Sequence, residues 1–201
     1  MNSIEKLTQI FSHFPGVGER QAKRFVYYLL SRKSNAVDDL VEAINSLKQE
    51  IAICEDCMRF FKKEREEKLC KICSNAERER SNLVIVQKDI DLESVERSGN
   101  FKGVYFVLGG SVRILDKEPE KKVRINELKS FIQNKDIKEI ILATNWNPEG
   151  ENTADYVERQ IKEICDKKQI KISRLGKGLS MGTELEYTDP DTLKNALKNR
   201  S

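Results

Sequence analysis

Cys54-Glu55-Asp56-Cys57 and, after an insert covering residues 58–69, Cys70-Lys71-Ile72-Cys73 form the stretch around which the chain is organised. Two Cys-x-x-Cys turns at this separation have the spacing of a four-thiolate zinc site. Each turn offers two sulfurs from one tight loop, and the pair completes a tetrahedron. The single histidine, His13, is remote in sequence, so an all-cysteine shell is the simplest reading. Two disulfides or a redox Cys-x-x-Cys are the competing readings. The chain starts without a signal-like apolar segment, so a reducing, cytoplasmic compartment is expected and disulfides are not. With four protein ligands no position is left for a catalytic water. The expected cofactor is therefore one structural Zn²⁺ per chain, held by Cys54, Cys57, Cys70 and Cys73. Phe60 and Phe61, inside the insert, are expected to pack beneath the metal, because so small a unit has little other core.

Charged residues make up 34% and hydrophobic residues 38% of the 201-residue chain, a composition suited to water. No stretch approaches the roughly 20 apolar residues of a membrane span, so no membrane partner is expected. The net charge is +3, and residues 1–80 carry 15 basic against 13 acidic side chains, so charge alone does not point to nucleic acid. One histidine disfavours Ser-His or Cys-His hydrolysis. Cys165 lies in a helical pattern and reads as a packing residue.

Upstream of the cysteines, Ile4, Leu7, Ile10 and Phe11 recur at helical spacing over residues 3–13, with Ser3 as the expected cap. Pro15 ends that helix. Phe14-Pro15-Gly16-Val17-Gly18 then opens a second helix from Glu19 to Leu30, and both glycines read as positions where a side chain would block the hairpin. Ala22, Phe25, Val26 and Leu29 fall on one face, with Arg20, Lys23, Arg24 and Tyr27 opposite. A short glycine turn opening a basic helix resembles the helix-hairpin-helix motif, which binds DNA without reading sequence. The backbone of Gly16 and Gly18 would approach a phosphate, and Arg20, Lys23 and Arg24 would add charge. An ordinary helical hairpin with a solvated basic face is the plainer reading. Residues 34–53 place Val37, Leu40, Val41, Ile44, Leu47 and Ile51 close to a heptad stripe, with Ser34 as cap, suited to packing on the hairpin or to a dimer contact.

Downstream the pattern changes. Leu83–Val86, Val104–Leu108, Ile140–Ala143 and Ile170–Ser173 are short apolar runs separated by helical patterns near 91–98, 121–134 and 152–168. This alternation predicts a mainly parallel α/β sheet. Sites in such sheets gather beyond the carboxyl ends of the strands. Gln87-Lys88-Asp89-Ile90-Asp91 follows the first strand, and Asn145-Trp146-Asn147-Pro148-Glu149-Gly150-Glu151 follows the third. Read as a loop, the latter would let Glu149 and Glu151 curl around Gly150 toward a divalent metal. The arrangement resembles the Toprim fold, whose catalytic members carry a glutamate after the first strand and an Asp-x-Asp pair after the third. Here the first position is Gln87, an amide with no useful pKa, which argues against two-metal phosphoryl chemistry. The Gly176–Gly182 stretch is not a Walker A loop. Leu185, Tyr187 and a final helix near 190–200, started by Asp189-Pro190, are expected to pack back on the sheet.

In this order the segments resemble the RecR family of bacterial recombination mediators over essentially the whole chain. Tyr105–Gly110, Glu149–Ala154, Gly178–Tyr187 and Thr192–Leu197 carry the likeness together with the cysteine quartet and the Phe14–Gly18 turn. The resemblance implies a non-enzymatic protein of recombinational DNA repair that binds DNA independently of sequence. It also implies action with RecO and RecF to help load RecA on gapped or single-stranded DNA, and assembly as a homodimer or ring-like homotetramer. By position, Arg20 and Arg24 match the family's basic pair, Lys23 is an addition, and Glu149 with Glu151 falls in the region used toward partners. The fold class expected is α+β multidomain: a helix-hairpin-helix module (1–53), a four-cysteine zinc finger (54–80), a Toprim-like α/β domain with a mainly parallel sheet (81–177), and a C-terminal tail and helix (178–201). Two other readings are kept: a Mg²⁺-dependent Toprim nuclease using Glu149, Glu151, Asp89 and Asp91, and a zinc scaffold that contacts no DNA.

Overall fold

Asn2, rather than Ser3, starts the first helix. The computed structural model describes residues 1–176, 178–179, 182 and 184–198. The chain divides into two units, Met1–Ile51 and Ala52–Ser201.

In the first unit, Asn2 and Glu5 form a reciprocal capping box at the start of α1 (Ser3–Ser12). Asparagine reaches the orphan amide as well as serine does, so the cap moved one residue upstream of its expected place. Helix α2 (Glu19–Leu30) buries Ala22 and Val26. Phe11 holds the hairpin by edge-on ring contacts to Phe14 at 5.6 Å and Phe25 at 5.9 Å. Helix α3 (Ser34–Glu50) is capped by Lys33 backbone, not by Ser34, whose hydroxyl donates to Asp38 instead. It buries no residue; its stripe of Leu40, Val41, Ile44 and Leu47 stays 41–60% exposed.

The second unit opens within β1 (Ile51–Ile53), which pairs with β2 (Phe60–Lys62) as a two-stranded sheet around the first cysteine pair. Then follow the one-turn α4 (Lys71–Ser74), β3 (Glu79–Val86), α5 (Asp89–Arg97), β4 (Gly103–Val107), α6 (Ile125–Asn134), β5 (Glu139–Ala143), α7 (Pro148–Lys168), β6 (Lys171–Arg174) and α8 (Pro190–Lys198). The larger sheet has the order β4-β3-β5-β6 and is parallel throughout. The strand order reverses between β3 and β5, whose ends pair as Val86 with Ala143.

Both faces of this sheet are covered, which is why its strands read as continuous apolar runs. Leu83, Ile85, Phe106, Ile140 and Leu142 pack on Leu128 and Ile132 of α6 and on Val157 and Ile161 of α7. Each such side chain, fully buried, contributes about 1.5–3 kcal/mol. Cys165 belongs to this core, and burial pushes its thiol up to about 11. On the other face, Val84, Val86, Tyr105 and Val107 pack on Leu92 of α5 and on the four cysteines themselves. The cysteine element thus shares its core with the sheet.

Three expectations change. Phe61 packs against the cysteine core but Phe60 is 51% exposed, because strand alternation turns it to the other side. Leu185 and Tyr187 are 65% and 78% exposed and do not pack on the sheet. Helix α7 begins at Pro148, so Glu149 and Glu151 lie on a helix and not in a loop. Asp189 does start α8, accepting from Thr192 N–H at 2.9 Å. Of the expected tail loop, Lys177, Ser180, Met181 and Thr183 lie outside the described residues, as do residues 199–201. No helix among the described residues is long and apolar enough to cross a membrane.

Candidate functional site

The four cysteine sulfurs lie within 4.8 Å of one another, and all four residues are buried. Among the described residues this is the group of His, Cys, Asp and Glu side chains close enough to share an ion. Cys57 and Cys70 sulfurs are 3.6 Å apart, and all the cysteines are free thiols. A tetrahedron with metal–sulfur bonds of about 2.3 Å has edges of about 3.8 Å, so the spacing fits one four-coordinate ion. Backbone supports the donors: Cys70 N–H donates to Cys54 Sγ at 3.3 Å, and Met58 N–H donates to the Cys54 carbonyl at 3.0 Å. Met58 closes this knuckle in the left-handed region, with φ 61°. Crowding divides the thiols: hydrogen bonds with Cys57, then Cys70 and Cys73, pull Cys54 down, while the bond with Cys54 pushes Cys57 up.

At the helical hairpin, the two glycines have different reasons to be there. Gly16 adopts φ +76°, a conformation that excludes most side chains. Gly18 does not; it is the extended N-cap of α2 (φ −82°, ψ 168°), and a Cβ added there would meet nothing within 4 Å. The expectation that both glycines are required by the hairpin is corrected on this point. Among the described residues no side chain caps α2, so its first amides are left for a ligand or water. Arg20, Lys23 and Arg24 follow on its first turns, all exposed, with Arg24 also donating to Gln21 at 3.3 Å.

At the carboxyl end of the parallel sheet, Gln87 is only 3% exposed and its Oε1 accepts from Asn145 N–H at 2.9 Å. That bond ties β3 to the loop after β5 across the point where strand order reverses. Asp89 accepts from Phe60 N–H at 2.7 Å, and Asp91 accepts from Lys88 N–H at 2.9 Å. Both carboxylates are thus engaged by backbone. Asn147 caps α7, accepting from Gly150 N–H at 2.7 Å, and Pro148 takes the first helical position. Gly150 has a packing reason to lack a side chain: a Cβ there would collide with the Asn145 carbonyl. Glu149 and Glu151, two apart on a helix, do not face each other and so do not converge as a loop would let them. Glu149 accepts from the Ser111 hydroxyl and lies 3.9 Å from Arg113. Thr153 and Asn152 hold the same loop through Val112 N–H and carbonyl, both at 2.9 Å. Ser111 carries no motif of its own, and although Asn152 and Thr153 lie in the Glu149–Ala154 segment, their partner at Val112 is distant in the chain, so only the fold could assign these contacts. For Asn147-Pro148 the signal was present, since a cap residue followed by proline marks a helix start.

Residues 4–48 match the family model described as RecR, helix-hairpin-helix. Residues 81–176 match the Toprim domain, and residues 178–201 match RecR, C-terminal. Fold and site together define a helix-hairpin-helix, Toprim-sheet protein with a four-cysteine centre built into the sheet's core. Relatives named recombination protein RecR include that of Rickettsia typhi, 38% identical over 99% of this chain and 96% of its own length. Those of Herpetosiphon aurantiacus and Lactobacillus helveticus are each 36% identical over 98% of this chain, covering 93% and 96% of their own lengths. The chain belongs to the RecR family of recombination proteins.

Proposed function

We propose that this protein is a non-enzymatic, DNA-binding recombination mediator that acts with RecO and RecF to help load RecA on gapped or single-stranded DNA. The observation that carries the reading is Gly18. Neither its backbone angles nor its surroundings within the chain call for glycine, yet it sits where the uncapped amides of α2 meet Arg20, Lys23 and Arg24. A phosphate approaching that backbone supplies the missing reason, and it would bind without regard to base sequence. The four cysteines hold one structural Zn²⁺ in this reading. The all-sulfur donor set suits zinc and leaves no open position.

At the sheet, Glu149 and Glu151 serve as partner contacts. A nuclease reading is disfavoured by the buried Gln87 amide and by the backbone bonds that occupy Asp89 and Asp91. Self-association as a dimer or ring-like tetramer is supported by the exposed apolar stripe of α3 and by exposed Leu185, Tyr187 and Leu197. An assay of RecA assembly on single-stranded DNA coated by single-strand-binding protein tests the function. The purified chain with RecO and RecF is expected to speed assembly, Arg20→Ala/Arg24→Ala to lose most of that effect, and no DNA to be cut with Mg²⁺ present. Assembly unaffected by the chain, or scission lost in Glu149→Gln, would refute it.

A further inference from the structure

The first cysteine turn is built into the carboxyl end of the sheet through one side chain. Arg124, at the start of α6, donates from Nη1 to the Met58 carbonyl at 2.7 Å and to the Val107 carbonyl at 3.3 Å. Its own N–H donates to the Leu108 carbonyl at 2.9 Å. Val107 N–H donates to the Cys57 carbonyl at 2.8 Å, so the cysteine turn covers the free edge of β4 just where that strand ends. Three segments meet on this guanidinium: the Cys54–Met58 knuckle, the end of β4, and the approach to α6.

Directly beyond β4 the chain turns at Gly109, with φ +83°, and an added Cβ there would sit 3.0 Å from the guanidinium carbon of Arg124. Arg124 therefore also fills the space behind the turn. Two residues on, Ser111 donates to Glu149, and Val112 is held by Thr153 and Asn152 on the first turns of α7. A continuous run of contacts leads from the metal ligands to the carboxylate of Glu149.

We propose that Arg124 is a strut through which a metal in the cysteine site holds the Gly109–Val112 turn, so that the presentation of Glu149 depends on metal occupancy. The proposal rests on the zinc reading above. With the metal bound, Cys54 and Cys57 are fixed in space, Met58 keeps its left-handed conformation, and its carbonyl stays in place as the acceptor. Without the metal, four buried thiols replace four metal bonds, and the knuckle is left to its backbone hydrogen bonds, Met58 N–H to the Cys54 carbonyl and Val107 N–H to the Cys57 carbonyl. Arg124 then loses its acceptor at Met58, and the turn that it backs loses its support. The core behind α7, made by Val157 and Ile161 with the sheet, does not depend on this strut.

Hydrogen–deuterium exchange of the full chain tests the proposal, with zinc content measured on the same samples. In zinc-loaded wild type the amides of residues 108–112 are expected to exchange slowly. Stripping zinc with a chelator under reducing conditions should speed them by about tenfold or more while Val157–Ile161 stay protected. Arg124→Ala, with its zinc still bound, should show the same local speeding. Arg124→Lys, which keeps one donor, should fall between and decides the matter should the alanine variant not fold. Wild-type protection of residues 108–112 in zinc-loaded Arg124→Ala or Arg124→Lys would overturn the strut. So would unchanged protection of those residues after stripping, or equal deprotection of Val157–Ile161. Purified chain that binds no metal would instead overturn the zinc assignment and the metal dependence with it, while the two Arg124 variants would still report on the contact itself.

Discussion

Replacing Gly18 with serine separates folding from binding. Serine is as good an N-cap as any residue, and the space around Gly18 is open. Gly18→Ser is therefore expected to leave the helical unit as stable as before, or a few tenths of a kcal/mol more stable, in thermal melts. DNA affinity should nevertheless fall, because a side chain now stands between backbone and phosphate. Unchanged affinity would remove the reason given for this glycine. A second residue-scale test concerns Glu96. Burial would raise its pKa, but hydrogen bonds from Arg78 and Tyr105 outweigh burial and hold it below the ordinary 4.5. A carboxylate depressed in the folded state stabilises above its unfolded pKa, and that contribution is lost as pH falls. The stability gap between wild type and Glu96→Gln in denaturant titrations should be full at neutral pH and narrow below 4.5. A gap independent of pH would contradict this. Burial and then Glu96 push the Tyr105 phenol above its ordinary 10.0, so its contribution is lost at the other end, as pH rises past that value.

Among elements, the parallel sheet was the most legible part of the chain. Strands covered on both faces must be apolar throughout, and Leu83–Val86, Val104–Leu108 and Ile140–Ala143 are. The hairpin was legible from Gly16 and the period of α2. Helix α7 was read as starting near residue 152 because Gly150 looks like a loop residue. Its actual role, letting the Asn145 carbonyl pack on the first turn, is a tertiary contact that local sequence cannot express. Gln87, Arg124 and the Arg78–Glu96–Tyr105 group were opaque for the same reason, since their partners are far away in the chain. The cysteines were legible as a cluster able to hold an ion but not as part of the sheet's core, and that changes what losing one would do. Cys57→Ser is expected to loosen the cysteine element and the sheet face that packs on it, Val84, Val86, Tyr105 and Val107, while Val157–Ile161 and the helical hairpin stay protected. Exchange protection followed peptide by peptide checks this. Loss of protection confined to residues 1–51 would contradict it.

In the proposed function the whole molecule combines a grip on phosphate, a metal-bound core and an apolar surface that meets other chains. Helix α3 alone buries none of its stripe, so Ile44, 52% exposed, costs little when replaced in a single chain. Ile44→Asp is expected to leave the melting temperature of dilute protein nearly unchanged while shifting sedimentation toward smaller species. An unaltered assembly would exclude α3 as a contact. Whether the glycine turn and its basic helix hold nucleic acid by its backbone is read from DNA affinity measured over a range of salt. Wild type should bind single-stranded DNA of unrelated sequences alike, with affinity falling steeply as salt rises. Arg20→Ala/Arg24→Ala should bind more weakly, with the slope of log affinity against log salt shallower by about 1.4, two phosphate contacts fewer. The same affinity and the same slope in the double variant would contradict the account.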